Sequence, residues 1–158
     1  MKIKYFNNVS FIMKGLLGYL AYFSVYPPCL APFMHKLCGV KITHPTKVYI
    51  APAVLIDSLY PEMLTIEDQV YLTRGVAILC HTNYTPALQV LLGSENVIRP
   101  VHIGYGTFIG VNAIILPGVT IGKYSIIAAG SVVTKNVPAY TIFGGNPARQ
   151  IGVVPQHD

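Results

Sequence analysis

Branched aliphatic residues recur at every sixth position over the C-terminal part of the chain. From residue 103 onward these positions hold Ile103, Ile109, Ile115, Ile121, Ile127 and Val133. Small or branched residues lie two positions earlier, at Thr107, Ala113, Val119, Ser125 and Ser131. The same spacing occurs earlier, at Ile50 and Ile56 and again at Ile66, Leu72 and Ile78. A period of six fits neither the 3.6-residue helix nor the two-residue strand alternation, so it indicates a repeated unit of six residues.

This period predicts a coil in which every sixth side chain returns to an equivalent inward position. Three units complete one turn of a triangular prism, and the short strands of each turn stack on those of the next. Gly104, Gly110 and Gly122 follow three of the aliphatic residues. We expect them at corners whose backbone conformation a Cβ atom would penalise. The sequence therefore predicts an all-β solenoid.

Two interruptions break the six-residue phase. The spacing from Ile56 to Ile66 is ten positions, which predicts that residues 58–61 bulge out of a coil. The segment Cys80–His102 keeps no period and is predicted to be a long loop. Because loops projecting from a rigid scaffold often carry function, we expect the chemistry in this segment.

The first 47 residues differ from the rest in charge. They hold six lysines and no acidic residue, whereas residues 48–158 hold five basic and six acidic residues. Residues 15–34 carry no charge, but Pro27, Pro28 and Pro32 would interrupt a spanning helix. The pattern predicts two short apolar helices that pack on the prism, bind an anionic membrane surface or insert into it. No motif for binding nucleic acid is present in the sequence.

The cysteines Cys29, Cys38 and Cys80 are odd in number and form no CxxC pair. This argues against a disulfide framework and a thiolate zinc cluster, and it favours reduced thiols in the cytoplasm. The apolar N-terminal stretch has no signal-peptide cleavage site. Cys80 adjoins His81, but neighbours in a strand point to opposite faces, so a cysteine nucleophile activated by this histidine is disfavoured.

The repeat, the stretch IGVNAIILPGVTIGKYSIIAAGSVVTK and the closing GGNPARQI resemble those of the hexapeptide-repeat acyltransferases over residues 40–152. Within that family the chain looks most like sugar O-acetyltransferases of the galactoside, maltose and capsular-polysaccharide type. The resemblance implies a left-handed parallel β-helix over residues 41–152, with the active site in loop 80–102. Outside that range we expect an apolar helical segment at 1–40 and a tail at 153–158.

His81 is the predicted catalytic base, because an imidazole near neutral pH can accept the proton of an attacking hydroxyl group. The resemblance supports this role, since ILCHTNY falls where the family carries its catalytic histidine. It also implies that Asp57 either holds the acceptor sugar or orients His81. Asn83 and Tyr84 are predicted to line the acceptor side.

Three other histidines compete with His81. His102 could approach His81 across a subunit boundary, whereas His44 and His35 are interpreted as surface or packing residues. Trimeric carbonic anhydrases of this fold bind zinc through three histidines, two of them closely spaced. Because the solenoid sequence has no close histidine pair, we expect no metal site.

Small residues at 128–131 would let an extended cofactor lie against exposed backbone groups. The resemblance implies that the cofactor is acetyl-coenzyme A. Val111 and Ala129 match backbone contacts to the pantetheine arm, and Thr134, Lys135 and Arg149 match contacts to the nucleotide end. Family members often have serine or a similarly small residue at the position of Val111, so a hydroxyl contact there would be lost.

The sequence thus predicts an acetyl-coenzyme A-dependent O-acetyltransferase that acts on a sugar hydroxyl. The resemblance further implies a homotrimer with active sites between subunits. The reduced cysteines favour the cytoplasm, and residues 1–47 could bring the enzyme to the inner membrane face. Two alternatives remain: an N-acyltransferase acting on an amino sugar or amino acid, and a non-catalytic β-helix scaffold.

Overall fold

The computed structural model describes residues 9–23, 30–93 and 96–156, with side chains from residue 12 onward. The sequence predictions that involve Lys2, Lys4, Pro27, Pro28 and Cys29 lie outside the described residues. The described chain begins with two helices, α1 (Val9–Phe23) and α2 (Leu30–Cys38), and continues as short strands, numbered in chain order.

The strands follow one another around three sheets in the same order on each coil. The first coil holds β1 (Lys41–Ile42), β2 (Tyr49–Ile50) and β3 (Leu55–Ile56), and the second holds β4 (Leu64–Ile66), β5 (Tyr71–Leu72) and β6 (Ala77–Ile78). After a hairpin of β7 (His81–Thr82) and β8 (Val97–Ile98), the third coil holds β9 (Val101–Ile103), β10 (Phe108–Ile109) and β11 (Ile114–Ile115). The fourth holds β12 (Thr120–Ile121), β13 (Ile126–Ile127) and β14 (Val132–Val133), followed by β15 (Thr141–Gly144) and β16 (Arg149–Val153).

Parallel pairing joins the coils. Sheet A consists of β1, β4, β9 and β12, sheet C of β3, β6, β11 and β14, and sheet B of β2, β5, β10, β13 and β15, with β16 antiparallel at its edge. This arrangement of parallel sheets is consistent with the predicted left-handed β-helix.

The every-sixth-residue aliphatic ladder forms the interior, as the sequence predicts. Every side chain of the series from Ile103 to Val133 is at most 1% exposed. In sheet B, Ile109 lies in register with Leu72 of the preceding coil and Ile127 of the next. Full burial of one such side chain contributes roughly 1.5–3 kcal/mol, so the stacked ladder is the main source of the coil's stability.

Gly104, Gly110 and Gly122 were expected to adopt a backbone conformation that other residues avoid, and this expectation is wrong. These glycines instead allow the next coil to pack closely against them. A Cβ atom at Gly110 would lie 2.5 Å from the backbone nitrogen of Ala129 in the next coil. The left-handed conformation occurs instead three residues before a ladder residue, as at Asn112 (φ 57°) before Ile115. Asparagine tolerates this region better than most residues, so the corner does not require glycine.

Both interruptions are ordered excursions. The first contains a 3₁₀ helix at Pro61–Met63. The second, predicted as a loop, is the β7–β8 hairpin with helix α3 (Pro86–Leu92) at its tip. Thr85 Oγ1 caps α3 by accepting the Leu88 N–H at 3.3 Å. Elements this short leave no periodic signal in a sequence, so the loop interpretation missed them.

The two N-terminal helices exist as predicted and pack against each other and the first coil. The carbonyl oxygen of Tyr22 accepts the N–H of Ala53 at 2.7 Å, which ties the end of α1 to the solenoid. Helix α1 leaves large apolar side chains at least half exposed, at Ile12, Met13, Leu16, Tyr19, Leu20 and Phe23. Among the described residues, no helix has the length and apolar character needed to cross a membrane.

Candidate active site

Asp57 and His81 both lie just beyond the ends of strands at the same side of sheet C. Ile56, the last residue of β3, pairs with Ile78, the last residue of β6, and the chain then continues to Asp57 and to His81. Asp57 Oδ2 lies 2.5 Å from His81 Nδ1. Residues 24 positions apart in the sequence therefore form a carboxylate–imidazole pair.

The carboxylate of Asp57 is enclosed, and its side chain is 0% exposed. Its Oδ1 accepts the N–H groups of Leu59 at 3.0 Å and Tyr60 at 3.2 Å, and its Oδ2 also accepts the Cys80 N–H at 2.8 Å. A buried charge needs such donors to offset its loss of hydration. Since both oxygens are engaged below the surface, the geometry favours orientation of His81 over contact with an acceptor, two roles that the sequence left open.

The second imidazole nitrogen of His81 faces away from Asp57. Because the carboxylate accepts the Nδ1–H, the neutral ring carries its lone pair on Nε2. Asn83 Nδ2 lies 3.2 Å from Nε2 and donates to it. The His81 side chain is 16% exposed, so the imidazole lies close to the surface.

Tyr60 also belongs to this site, although the sequence analysis missed it. Its ring packs edge-on against the imidazole of His81, with the centroids 5.3 Å apart. The available signal was its position within the first interruption, three residues after Asp57. Of the predicted acceptor residues, Asn83 contacts His81. Tyr84 is half-buried in the hairpin, where its N–H donates to Asn96 Oδ1 at 2.9 Å.

Cys80 points into the core, as expected for the neighbour of a surface-facing strand residue. It is 0% exposed. Burial and the nearby Asp57 carboxylate raise the pKa of its thiol to about 12. Because the thiolate is the nucleophilic form, this cysteine is disfavoured as an acyl carrier.

The predicted donor residues fall at two edges of sheet C. Val111 and Ala129 precede β11 and β14 on adjacent coils, where the Val111 carbonyl accepts the Gly130 N–H at 2.8 Å. Both side chains are exposed, and a Cβ atom at Gly130 would meet no atom of the described chain within 4 Å. This corner is therefore open to an extended ligand.

Thr134 and Lys135 follow β14 and lie at the opposite edge, the one from which His81 leaves β6. Arg149 is exposed at the start of β16, and its Nη1 donates to the Ala148 carbonyl at 2.9 Å. One chain thus brings Asp57, His81 and Asn83 together but separates the Val111–Ala129 corner from His81.

Two of the other described histidines pair with carboxylates. His102 Nε2 lies 2.9 Å from Glu67 Oε1, and His44 Nδ1 lies 2.8 Å from Asp68 Oδ2. His35 is buried on α2, in keeping with a packing position. Within the described ranges, no three His, Cys, Asp or Glu side chains are grouped to hold a metal ion.

Comparison with known families gives a match to the hexapeptide repeat of succinyl-transferases over residues 100–135. The galactoside O-acetyltransferase of Escherichia coli (strain K12) is 35% identical over 102 residues, which cover 60% of this chain and 50% of that protein. A Staphylococcus aureus (strain COL) protein is 50% identical over 52 residues, 26% of its length. The chain thus spans between a quarter and half of the curated relatives it matches.

Solved structures share the fold. A maltose O-acetyltransferase from Clostridium difficile 630 superposes with a TM-score of 0.70 at 24% identity, covering 96% of this chain and 92% of that one. A galactoside acetyltransferase in complex with coenzyme A gives a TM-score of 0.69 at 24% identity, over 92% of this chain and 81% of that one.

Proposed function

Because this chain belongs to the hexapeptide-repeat acetyltransferase family, we propose that it transfers an acetyl group from acetyl-coenzyme A to a sugar hydroxyl. The observation that carries the proposal is the hydrogen bond from His81 Nδ1 to the buried Asp57 carboxylate. In the neutral ring this bond favours the tautomer with its lone pair on Nε2, which is the form that a general base requires. The galactoside and maltose O-acetyltransferases among the relatives favour a sugar as the acceptor.

In the proposed reaction the acceptor hydroxyl takes the place of the Asn83 amide at His81 Nε2. Nε2 accepts the hydroxyl proton while the oxygen attacks the thioester carbonyl carbon. The tetrahedral intermediate then expels the coenzyme A sulfur, which takes the proton back from the imidazolium. Asp57 stabilises the imidazolium throughout, and Asn83 is free to hold the acceptor. A backbone amide would stabilise the oxyanion.

The donor is proposed to lie in a cleft between two subunits of a homotrimer. The open corner at Val111 and Ala129 would hold the pantetheine arm, while Thr134, Lys135 and Arg149 would contact the nucleotide. Since that corner and His81 occupy opposite edges of sheet C, a neighbouring subunit is the natural source of the second half of the site. The bound coenzyme A of the galactoside acetyltransferase structure supports the choice of donor.

We place the enzyme in the cytoplasm, where acetyl-coenzyme A is made, and at the inner membrane face. The exposed apolar face of α1 and the lysines of the first 47 residues favour contact with an anionic leaflet. An acceptor glycan carried by a lipid would be within reach there.

An acceptor screen tests this function. Purified protein is incubated with acetyl-coenzyme A and matched pairs of sugars that differ only in carrying a hydroxyl or an amino group, and thiol release is followed. We expect release with hydroxyl sugars. Turnover confined to amino sugars would establish the N-acyltransferase alternative. Turnover with neither class of sugar would favour the alternative of a non-catalytic scaffold.

A further inference from the structure

A cavity of about 460 Å³ lies at the corner between sheets B and C. Three successive coils line it, with Ala53 on the first, Arg74 on the second, and Val111 and Asn112 on the third. Tyr22, near the end of α1, also lines it, and the volume falls in the range of small-molecule sites. Because Val111 belongs to the open corner proposed for the pantetheine arm, the cavity continues the donor path toward the N-terminal coils.

Arg74 is the only residue with a charged side chain among the described residues that line this cavity. It is exposed, and its guanidinium forms no ion pair with a carboxylate of the described chain. A guanidinium group presents its N–H donors in a planar fork that matches a carboxylate or a phosphate. Since no protein group competes for these donors, they are available to an anionic ligand at the cavity.

Asn112 lies beside Arg74 on the next coil, where its N–H donates to the Arg74 carbonyl at 3.0 Å. Gly75 adopts the left-handed conformation (φ 73°), and a Cβ atom there would overlap Asn112 Oδ1. The glycine thus allows the Asn112 amide to lie against the backbone next to Arg74. This amide forms no side-chain hydrogen bond within the described ranges. Because an amide can both donate and accept, it can bind a hydroxyl group near the cation.

Arg74 and His81 flank the same strand. Arg74 precedes β6 and His81 follows it, so the two residues lie at opposite edges of sheet C. In a closed ring whose symmetry axis is parallel to the prism axes, coils of equal height face each other. In the proposed trimer, Arg74 therefore lies at the level of His81 of the neighbouring subunit. The fourth coil, assigned to the nucleotide end of the donor, is about 10 Å away along the prism. This places the charge on the acceptor side of the shared site.

We propose that Arg74 binds an anionic group of the acceptor, a carboxylate or a phosphate, so that the enzyme prefers acidic sugars to neutral ones. The proposal rests on the proposed sugar acetyl transfer and adds its acceptor class. Arg74 supplies the positive charge and the planar pair of donors, and Asn112 contacts a neighbouring hydroxyl. The hydroxyl that reacts lies at His81 of the neighbouring subunit.

Matched acidic and neutral sugars test this preference. Methyl β-glucuronide is compared with methyl β-glucoside, and α-glucose 1-phosphate with methyl α-glucoside, so that a carboxylate and a phosphate are tested separately. Binding to the coenzyme A complex is measured by calorimetry, and acetylation is measured as kcat/KM at saturating acetyl-coenzyme A. We expect at least one acidic sugar to exceed its neutral counterpart about tenfold or more in both measurements, because hydrogen bonds between charged groups are the stronger ones.

Arg74 variants identify the group that recognises the anion. Arg74→Ala should abolish the preference, mainly by raising the KM for the acidic sugar about tenfold. Arg74→Lys keeps the charge but loses the planar fork, so part of the preference should remain. Lys41→Ala, which removes an exposed cation from sheet A, is the control and should keep the full preference.

Equal binding and acetylation of acidic and neutral sugars by the wild-type protein would overturn the proposal. So would a full preference that survives in Arg74→Ala. If that variant also had a raised KM for acetyl-coenzyme A, Arg74 would be assigned to a donor phosphate. Preferential binding of an acidic sugar that Arg74→Ala abolishes, without acetylation of any sugar, would instead count against the proposed function and leave the anion site intact.

Discussion

Asp57 Oδ2 accepts a hydrogen bond from His81 Nδ1 at 2.5 Å, and the carboxylate also receives three backbone N–H groups from Leu59, Tyr60 and Cys80. The backbone contacts therefore hold Asp57 in one position, and Asp57 in turn orients the His81 ring. Its position at the end of β3, beside the end of β6, makes the pair a consequence of coil register. Any insertion that shifts the phase between these two coils would separate them.

Replacing Asp57 with asparagine should prevent His81 from acting as a base, although the imidazole itself remains in place. An amide nitrogen facing Nδ1 would favour the tautomer that carries its proton on Nε2, which cannot accept the acceptor's proton. We expect kcat to fall by about 10²- to 10⁴-fold, with the affinity for acetyl-coenzyme A unchanged. Nitrogen-15 NMR of His81 should show the proton on Nδ1 in the wild-type protein and on Nε2 in the variant. An unchanged tautomer would refute the orienting role.

Lys135 and Arg149 are expected to bind the nucleotide end of the donor. Each change to alanine should raise the KM for acetyl-coenzyme A about two- to fivefold, the range for an exposed charged contact, and the double variant should raise it further. A donor lacking the 3′-phosphate should mask at least one of these effects. Lys123→Ala is the control, because Lys123 Nζ lies 5.7 Å from the ring centroid of Tyr140 at a different corner. An unaltered KM for acetyl-coenzyme A in both single variants would show that other residues bind the nucleotide.

Subunit complementation tests whether each active site is shared between chains. His81→Ala removes the base, and Ala129→Phe obstructs the open corner at the other edge of sheet C. Trimers of either variant alone should be inactive. In a 1:1 mixture three quarters of the trimers are mixed, and each mixed ring has one interface with both halves intact, so about a quarter of wild-type activity should return. A mixture that stays inactive would place the whole site within one chain.

The aliphatic ladder could be predicted because its inward positions recur every six residues. Eleven aliphatic residues follow this spacing, and each of them indicates the same coil. The pair of Asp57 and His81 was less accessible, since the sequence named both residues but did not decide what Asp57 contacts. The contact of Tyr60 with His81 could not be predicted, nor could the His35 nitrogen that lacks a partner among the described residues. Both depend on how an irregular excursion or a helix is placed against the solenoid, and no periodicity encodes that placement.

Helix α1 should bind anionic membranes through its exposed apolar face. Each lysine near an anionic leaflet contributes on the order of 1 kcal/mol, and buried apolar side chains add to this. The protein should therefore float with anionic vesicles, less so as salt rises. Leu16→Glu with Leu20→Glu should abolish flotation, whereas Ile151→Glu, which changes an apolar residue exposed elsewhere, should not. Failure of the wild-type protein to float, with loss of the trimer in the double variant, would assign this face to subunit packing.

The most direct test of the central claim is the rate of acetyl transfer by His81→Ala beside His102→Ala, measured at saturating acetyl-coenzyme A with an acceptor found in the screen. His81→Ala should lower kcat by about 10²- to 10⁴-fold while the protein still folds and binds the donor. His102→Ala should stay within about threefold of wild type, because its partner Glu67 is exposed on the surface, unlike the buried Asp57 that orients His81. A His81→Ala enzyme with nearly wild-type kcat, or a His102→Ala enzyme with the large loss, would contradict the assignment of His81 as the base.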